Sequence, residues 1–165
     1  MRFLLLFMIA MVSLVLQTAV FNKLTLAGAK PDLLLITVVF FAFIKGARAG
    51  AGLGFFYGLL EDLAAGRFIG LNALAKAATG FLVGLTEGKI YKENLLAPGL
   101  LIIAASLING LIVTVLLKIT GIPVSFTESF WRILLPVAIY NLGIAPLFYL
   151  KFYQSVTNGL LSSKK

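Results

Sequence analysis

Residues 46–70 read GARAGAGLGFFYGLLEDLAAGRFIG, with Gly46, Gly50, Gly54, Gly58, Gly66 and Gly70 spaced by four and Asp62 in the one intervening slot. Positions four apart lie on one ridge of an α-helix. A mid-helix glycine costs about 0.5–1 kcal/mol relative to alanine, so a run of them needs a compensating contact. In lipid that contact is close backbone approach between helices, because apolar burial does not drive them together. The spacing continues downstream at Asn72, Lys76, Gly80, Gly84 and Gly88. An antiparallel hairpin pairs residues of constant index sum. Gly50 with Gly88, Gly54 with Gly84, Gly58 with Gly80, Asp62 with Lys76 and Gly66 with Asn72 share the sum 138. The expectation is a hairpin packed through Gly50, Gly54, Gly58, Gly80 and Gly84 and closed by an Asp62–Lys76 ion pair. A lone Asp or Lys at the bilayer centre costs about 2.5–3.5 kcal/mol on insertion scales. A four-residue step drifts about 40° around a helix, so only some three pairs near the crossing should touch.

Composition places the whole chain in the same solvent. Apolar residues make up 61% of the 165, and only 12% are charged. A water-soluble domain of this size buries about 70% of the surface its unfolded chain exposes, too little to hide so much apolar area. There is no Cys and no His, which excludes thiol redox chemistry, Cys/His zinc sites, Ser–His triads and haem–His ligation. The two aspartates, Asp32 and Asp62, stand outside the Gly-x-Gly-Asp context of intramembrane aspartyl proteases. No enzyme, cofactor or metal site is expected. The net charge of +8 reads as contact with membrane lipids rather than nucleic acid, since no basic stripe is interleaved with aromatics.

Charge-poor runs divide the chain into six helices, at about 3–21, 32–45, 46–65, 71–86, 95–117 and 131–150, in a single polytopic membrane domain spanning 1–165. The first is read as an uncleaved helix, because Gln17 before Ala19 makes a poor signal-peptidase site. The second is short for a span of about 20 residues, and crosses only if Asp32 caps its start and Lys45 snorkels at its end. A Ser125-x-x-Glu128 pattern resembles a capping box. Arg2, Lys45, Arg48, Lys89, Lys92, Lys151, Lys164 and Lys165 fall on one side, against Lys23, Lys30, Arg67, Lys118 and Arg132 on the other. The positive-inside rule then puts both termini in the cytoplasm.

Asn72, Asn109 and Asn141 are the other intramembrane polar groups, and Asn109 and Asn141 most often glue helices together. Glu61 lies about 100° from Asp62 around the helix and is expected to meet Arg67 or lipid headgroups. Pro136 and Pro146 should bend the last helix and open a groove beside it. Trp131, Tyr140, Tyr149 and Tyr153 read as interfacial anchors.

Pro31-Asp32-Leu33-Leu34-Leu35, the four-spaced Gly50, Gly54, Gly58, Asp62, Gly66 and Gly70, then Leu71-Asn72-Ala73-Leu74, Tyr140-Asn141 and Ala145-Pro146 resemble the bacterial rod shape-determining protein MreD family. Residues 31–80 carry the specific part; the rest matches mainly in hydropathy. Lys76 is not part of that pattern. The resemblance implies a compact all-α bundle, similar to the S components of energy-coupling-factor transporters, in the bacterial inner membrane. It also implies a non-enzymatic scaffold of the cell-wall elongation complex that maintains rod shape. Such a protein sits with the bitopic MreC and, through it, couples MreB filaments to RodA and a penicillin-binding transpeptidase. The alternative is an S-component-like, substrate-binding subunit of a small-molecule or vitamin transporter. Ala10 and Ala19 do not fit the Ala-x-x-x-Ala docking motif of such subunits. Two partner surfaces are expected: the outward end of helices three and four with the Gly66–Gly70 turn, where a neighbour's transmembrane helix reaches the glycine ridge of Gly50, Gly54, Gly58, Gly80 and Gly84, and the basic Lys89–Asn94 loop with Lys164–Lys165, facing filaments or anionic lipid.

Overall fold

A computed structural model of the chain describes residues 2–20, 29–66, 68–89 and 96–157. Among them every regular element is helical, and the helices form six rods. The first is α1 (Arg2–Val15), which runs into a π-helical turn at Leu16–Val20. Next come α2 (Leu33–Lys45), α3 (Ala47–Ala65), α4 (Leu71–Gly84) and α5 (Leu96–Ile119). The sixth is continuous from α6 (Phe126–Ser129) through a second π-helical turn at Phe130–Leu134 into α7 (Leu135–Thr157). It starts five residues earlier than the apolar run implied, because Phe126–Phe130 is helical although it carries Glu128. Ser125 stands at its N-cap without a side-chain capping bond, and Glu128 pairs instead with Arg132 at 3.0 Å. Pro136 lacks the N–H that would close a regular turn. The turn before it is widened, with Leu135 N donating to Phe130 O. The last helix is continuous through Pro146. By length and composition, one segment of the described residues, Pro98–Ile119, is long and apolar enough to cross a membrane alone.

The short second run is the middle of the molecule. Eleven of the thirteen residues of α2 are buried, including Leu34, Leu35, Val38, Val39, Phe40 and Phe43. A helix that is apolar all round belongs in a core. α2 packs against α3, α4, α5, α7 and α1. The sides of this short helix face protein. Phe40 meets Tyr149 edge-on at 5.0 Å between ring centroids. Tyr149 is therefore a core residue, 1% exposed, and not an interfacial anchor. Trp131 is exposed, and the Tyr153 side chain lies outside the described residues.

α3 and α4 form the tightest contact. A Cβ on Gly50 would strike Gly80 O, one on Gly54 would strike Lys76 O, one on Gly58 would strike Asn72 O, and one on Gly84 would strike Ala47, all closer than 3.0 Å. The backbones thus touch where the glycines stand, but in a different register from the expected one. Gly50–Gly80, Gly54–Lys76 and Gly58–Asn72 share the index sum 130 rather than 138. Each α3 position meets a residue eight earlier on α4, a slide of about 12 Å at 1.5 Å per residue. The connection Gly66–Gly70 turns back along α3 rather than reversing at its tip. Gly66 (φ 66°) and Gly70 (φ 103°) adopt the left-handed backbone this requires.

The contact geometry sets an ordered pair of outcomes. Gly54→Ala or Gly58→Ala should lower the thermal unfolding midpoint in detergent micelles or prevent folding, since the methyl meets backbone. Gly52→Ala, with open space around its Cβ, should leave the midpoint unchanged or raise it by the helix-propensity gain of about 0.5–1 kcal/mol.

Candidate functional site

The register change separates the two groups expected to pair. Side chains lean toward the N-terminus of their own helix. Lys76 therefore leans back along α4, and Glu61 leans back along α3 to meet it. Lys76 Nζ lies 2.7 Å from Glu61 Oε2 and 2.5 Å from Asp32 Oδ2. Lys76 is 1% exposed, and the Asp32 and Glu61 side chains are 15% and 29% exposed. The expected Asp62–Lys76 ion pair is replaced by an Asp32–Lys76–Glu61 cluster. Glu61 turns to Lys76, whereas Arg67, its expected mate, lies outside the described residues.

Asp62 has a different task. Its carboxylate accepts from Gly70 N at 2.8 Å, Asn72 N at 3.1 Å, Ala73 N at 3.1 Å and Asn72 Nδ2 at 2.9 Å. The three backbone donors are N–H groups that a helix start leaves without partners, and they favour a negative charge. Asp62 is 2% exposed and holds the beginning of α4 against α3. That grip, rather than the tightness of the turn, fixes the register.

Asp32 joins most of the rods. Its Oδ1 caps α2 by accepting from Leu35 N at 2.8 Å, and also accepts from Gln17 Nε2 of the α1 π-turn at 3.3 Å. Its backbone N donates to Asn141 Oδ1 of α7 at 2.8 Å. Asn141 is fully buried, and its Nδ2 donates to Ser106 Oγ of α5 at 2.9 Å. Asn141 thus ties α7 to α5 and to the start of α2. Asn72 serves the Asp62 cap. Asn109 is 8% exposed, and among the described residues its Oδ1 has no hydrogen-bond partner.

Above the cluster opens a pocket of about 450 Å³ to which all six rods contribute. Gln17, Lys30, Asp32, Glu61, Asn72 and Asn109 are among its polar residues; Leu14, Val113, Leu117, Ile133 and Val137 line much of the rest. Both π-helical turns border it, through Gln17 and Thr18 on one side and Ile133 and Leu134 on the other. π-turns inside helical chains are frequent at functional sites. On the last rod the pocket is flanked by Ser129, Ile133, Leu134 and Val137. Of the expected basic surface, Lys89 is exposed; residues 90–94, Lys164 and Lys165 lie outside the described residues. Among the described residues no group of acidic side chains is placed to hold a metal ion.

The arrangement is that of a helical bundle with a fixed polar floor under a mainly apolar pocket. The chain belongs to the MreD family: the family model for the rod shape-determining protein MreD matches residues 1–156. It is thereby a member of a bacterial shape-determining family of the inner membrane, part of the MreBCD system and not a known enzyme family. No curated protein and no solved structure matches the chain, so the expected likeness to transporter S components gains no support.

Breaking a buried ion pair from one side costs about 3–5 kcal/mol, whereas replacing all its charges is often neutral. Lys76→Met should therefore destabilise the protein by about that much. Adding Asp32→Asn and Glu61→Gln should recover most of the loss in thermal unfolding. A double-mutant cycle should find strong coupling between Asp32 and Lys76 and weaker coupling between Asp62 and Lys76.

Proposed function

We propose that this protein is a non-catalytic scaffold of the cell-wall elongation machinery. It spans the inner membrane six times with both termini in the cytoplasm, and binds an MreC-like bitopic partner at the outward end of the bundle. Through that partner it couples MreB filaments to RodA and a penicillin-binding transpeptidase. The observation that carries the reading is the pocket beside the Gly66–Gly70 turn, built by all six rods over a locked floor. In the proposed topology it opens outward, where a bitopic partner leaves the membrane.

The glycine ridge is not the docking surface, because the α4 backbone already covers Gly50, Gly54 and Gly58. A partner meets the pocket and its rim instead. The floor joins α1, α2, α3, α4 and α7 through Asp32, Lys76, Glu61, Gln17 and Asn141. A transporter would have to open such a floor in every cycle, whereas a scaffold uses its rigidity. Lys89 and the basic residues at 92, 164 and 165 face the cytoplasm in this topology and meet anionic lipid headgroups.

Two measurements check the proposal. The chain has no cysteine, so a single cysteine at Gly121 should react with an impermeant maleimide on intact spheroplasts, and one at Lys89 only after permeabilisation. A photo-crosslinking residue at Val113 or Val137 in the pocket should capture the MreC-family protein in cells. Capture from other faces with none from the pocket would move the docking site elsewhere.

A further inference from the structure

We propose that the pocket opens sideways into the bilayer between α1 and the last rod, and that a phospholipid fills it, with one acyl chain inside and its phosphate at Lys30. The proposal concerns the side of the bundle and does not rest on the partner reading.

The opening follows from which rods touch. Around the central α2, α1 packs on α3, α3 on α4, α4 on α5 and α5 on the last rod. Among the described residues no comparable packing closes the ring between the last rod and α1. Phe152, toward the other end of the last rod, packs against the cluster that holds Leu6 and Ala10 of α1. The gap therefore falls at the pocket end. Its two edges are the π-helical turns, with Gln17 and Thr18 on one side and Ile133 and Leu134 on the other. Thr18 and Ile133 line the pocket and yet are exposed, Ile133 by 55%.

Shape and chemistry name the occupant. α5 lines the pocket from Ser106 to Leu117, a depth of about 16 Å at 1.5 Å per residue. That is the depth of one leaflet, half of a hydrocarbon core of about 30 Å. About 450 Å³ admits a single acyl chain. The walls are chiefly apolar, through Leu14, Val113, Leu117, Ile133 and Val137. The deep acceptors turn away from the cavity: Glu61 Oε2 and Asn109 Oδ1 are closed off from it, and the Asp32 carboxylate is engaged by Lys76 and Leu35 N. Walls of this kind forfeit dispersion contacts when the space is unfilled, and water is a poor substitute on apolar surface. Bilayer hydrocarbon lies at the gap.

Lys30 supplies the contact for the headgroup. It lines the pocket and is exposed, and among the described residues no carboxylate pairs with it. Its long stem lets the ammonium snorkel toward the phosphate level. A free cation beside an apolar slot complements a phospholipid, which carries an anion at one end and a chain at the other. Side entry leaves the outward mouth of the pocket to the protein partner.

The test reconstitutes the full chain in vesicles of equal phosphatidylglycerol and phosphatidylethanolamine. The protein is then re-extracted in mild detergent with repeated exchange, and retained phospholipid is counted by native mass spectrometry. The expected result is a single retained phospholipid per chain, with phosphatidylglycerol preferred roughly fivefold. K30Q should abolish that preference and keep the occupancy. V137W, which fills the slot, and T18W, which narrows the gap from an exposed position, should each lower occupancy roughly tenfold. L111W, on the exposed outer face of α5, should leave it unchanged. T18W decides the matter if V137W fails to fold. Loss of all phospholipid from wild type on exchange, or wild-type retention in both V137W and T18W, overturns the site. Retention without preference between the two lipids, unchanged in K30Q, overturns the assignment of the phosphate to Lys30. A photo-crosslinking residue at Ile133 that captures the MreC-family protein in cells, and no lipid, puts a polypeptide in the gap and overturns the lipid.

Discussion

Asp32 is the constraint on which the bundle depends. A single residue caps α2, receives Gln17 from α1, meets Lys76 from α4 and donates its backbone N–H to Asn141 on α7. In a low-dielectric interior each bond is strong and each unpaired group expensive, so the rods that reach Asp32 are held to one mutual placement. α2 itself contributes the apolar mass, buried on every side, but apolar contact is forgiving of sliding. The polar cluster is not, and it converts a greasy core into one with a single register.

Neighbouring acids in α3 divide the work. Asp62 faces the beginning of α4 and satisfies its free N–H groups; Glu61, about a quarter-turn around the helix, faces Lys76 and the pocket. One carboxylate sets where α4 starts, and the other helps hold the lysine that α4 carries. The glycines then allow the backbones to meet at the level Asp62 has chosen. Charge placement and small side chains are therefore complementary parts of one packing solution.

Much of this was legible in the sequence. The four-residue glycine spacing correctly located the α3–α4 contact, because close approach has a simple compositional signature. The six apolar runs matched six rods, with shifts at the ends where Phe126–Phe130 is helical despite its polar residues. The register was not legible. Index sums treat the turn as a symmetric reversal, whereas Asp62 binds N–H groups eight to eleven residues ahead. The identity of Lys76's partners was hidden for the same reason, together with a long-range one: Asp32 lies 44 residues away, and no local pattern reports it. The signal available was a count. One deep lysine and three acids, Asp32, Glu61 and Asp62, leave room for a division other than a single pair. Asn109 was flagged as a deep polar group, but its missing partner is a property of the assembled walls alone.

The order in which these charges occur along the polypeptide bears on how the molecule is built. Synthesis proceeds from the N-terminus, so Asp32 and Glu61 have both left the ribosome before Lys76 does. The one cation destined for the interior thus always has its counter-ions waiting, and α4 need never rest in the bilayer with an unmatched ammonium. Closure of the ionic floor is thereby tied to delivery of the fourth rod, and the network around Asp32 is completed when Asn141 arrives on the last one.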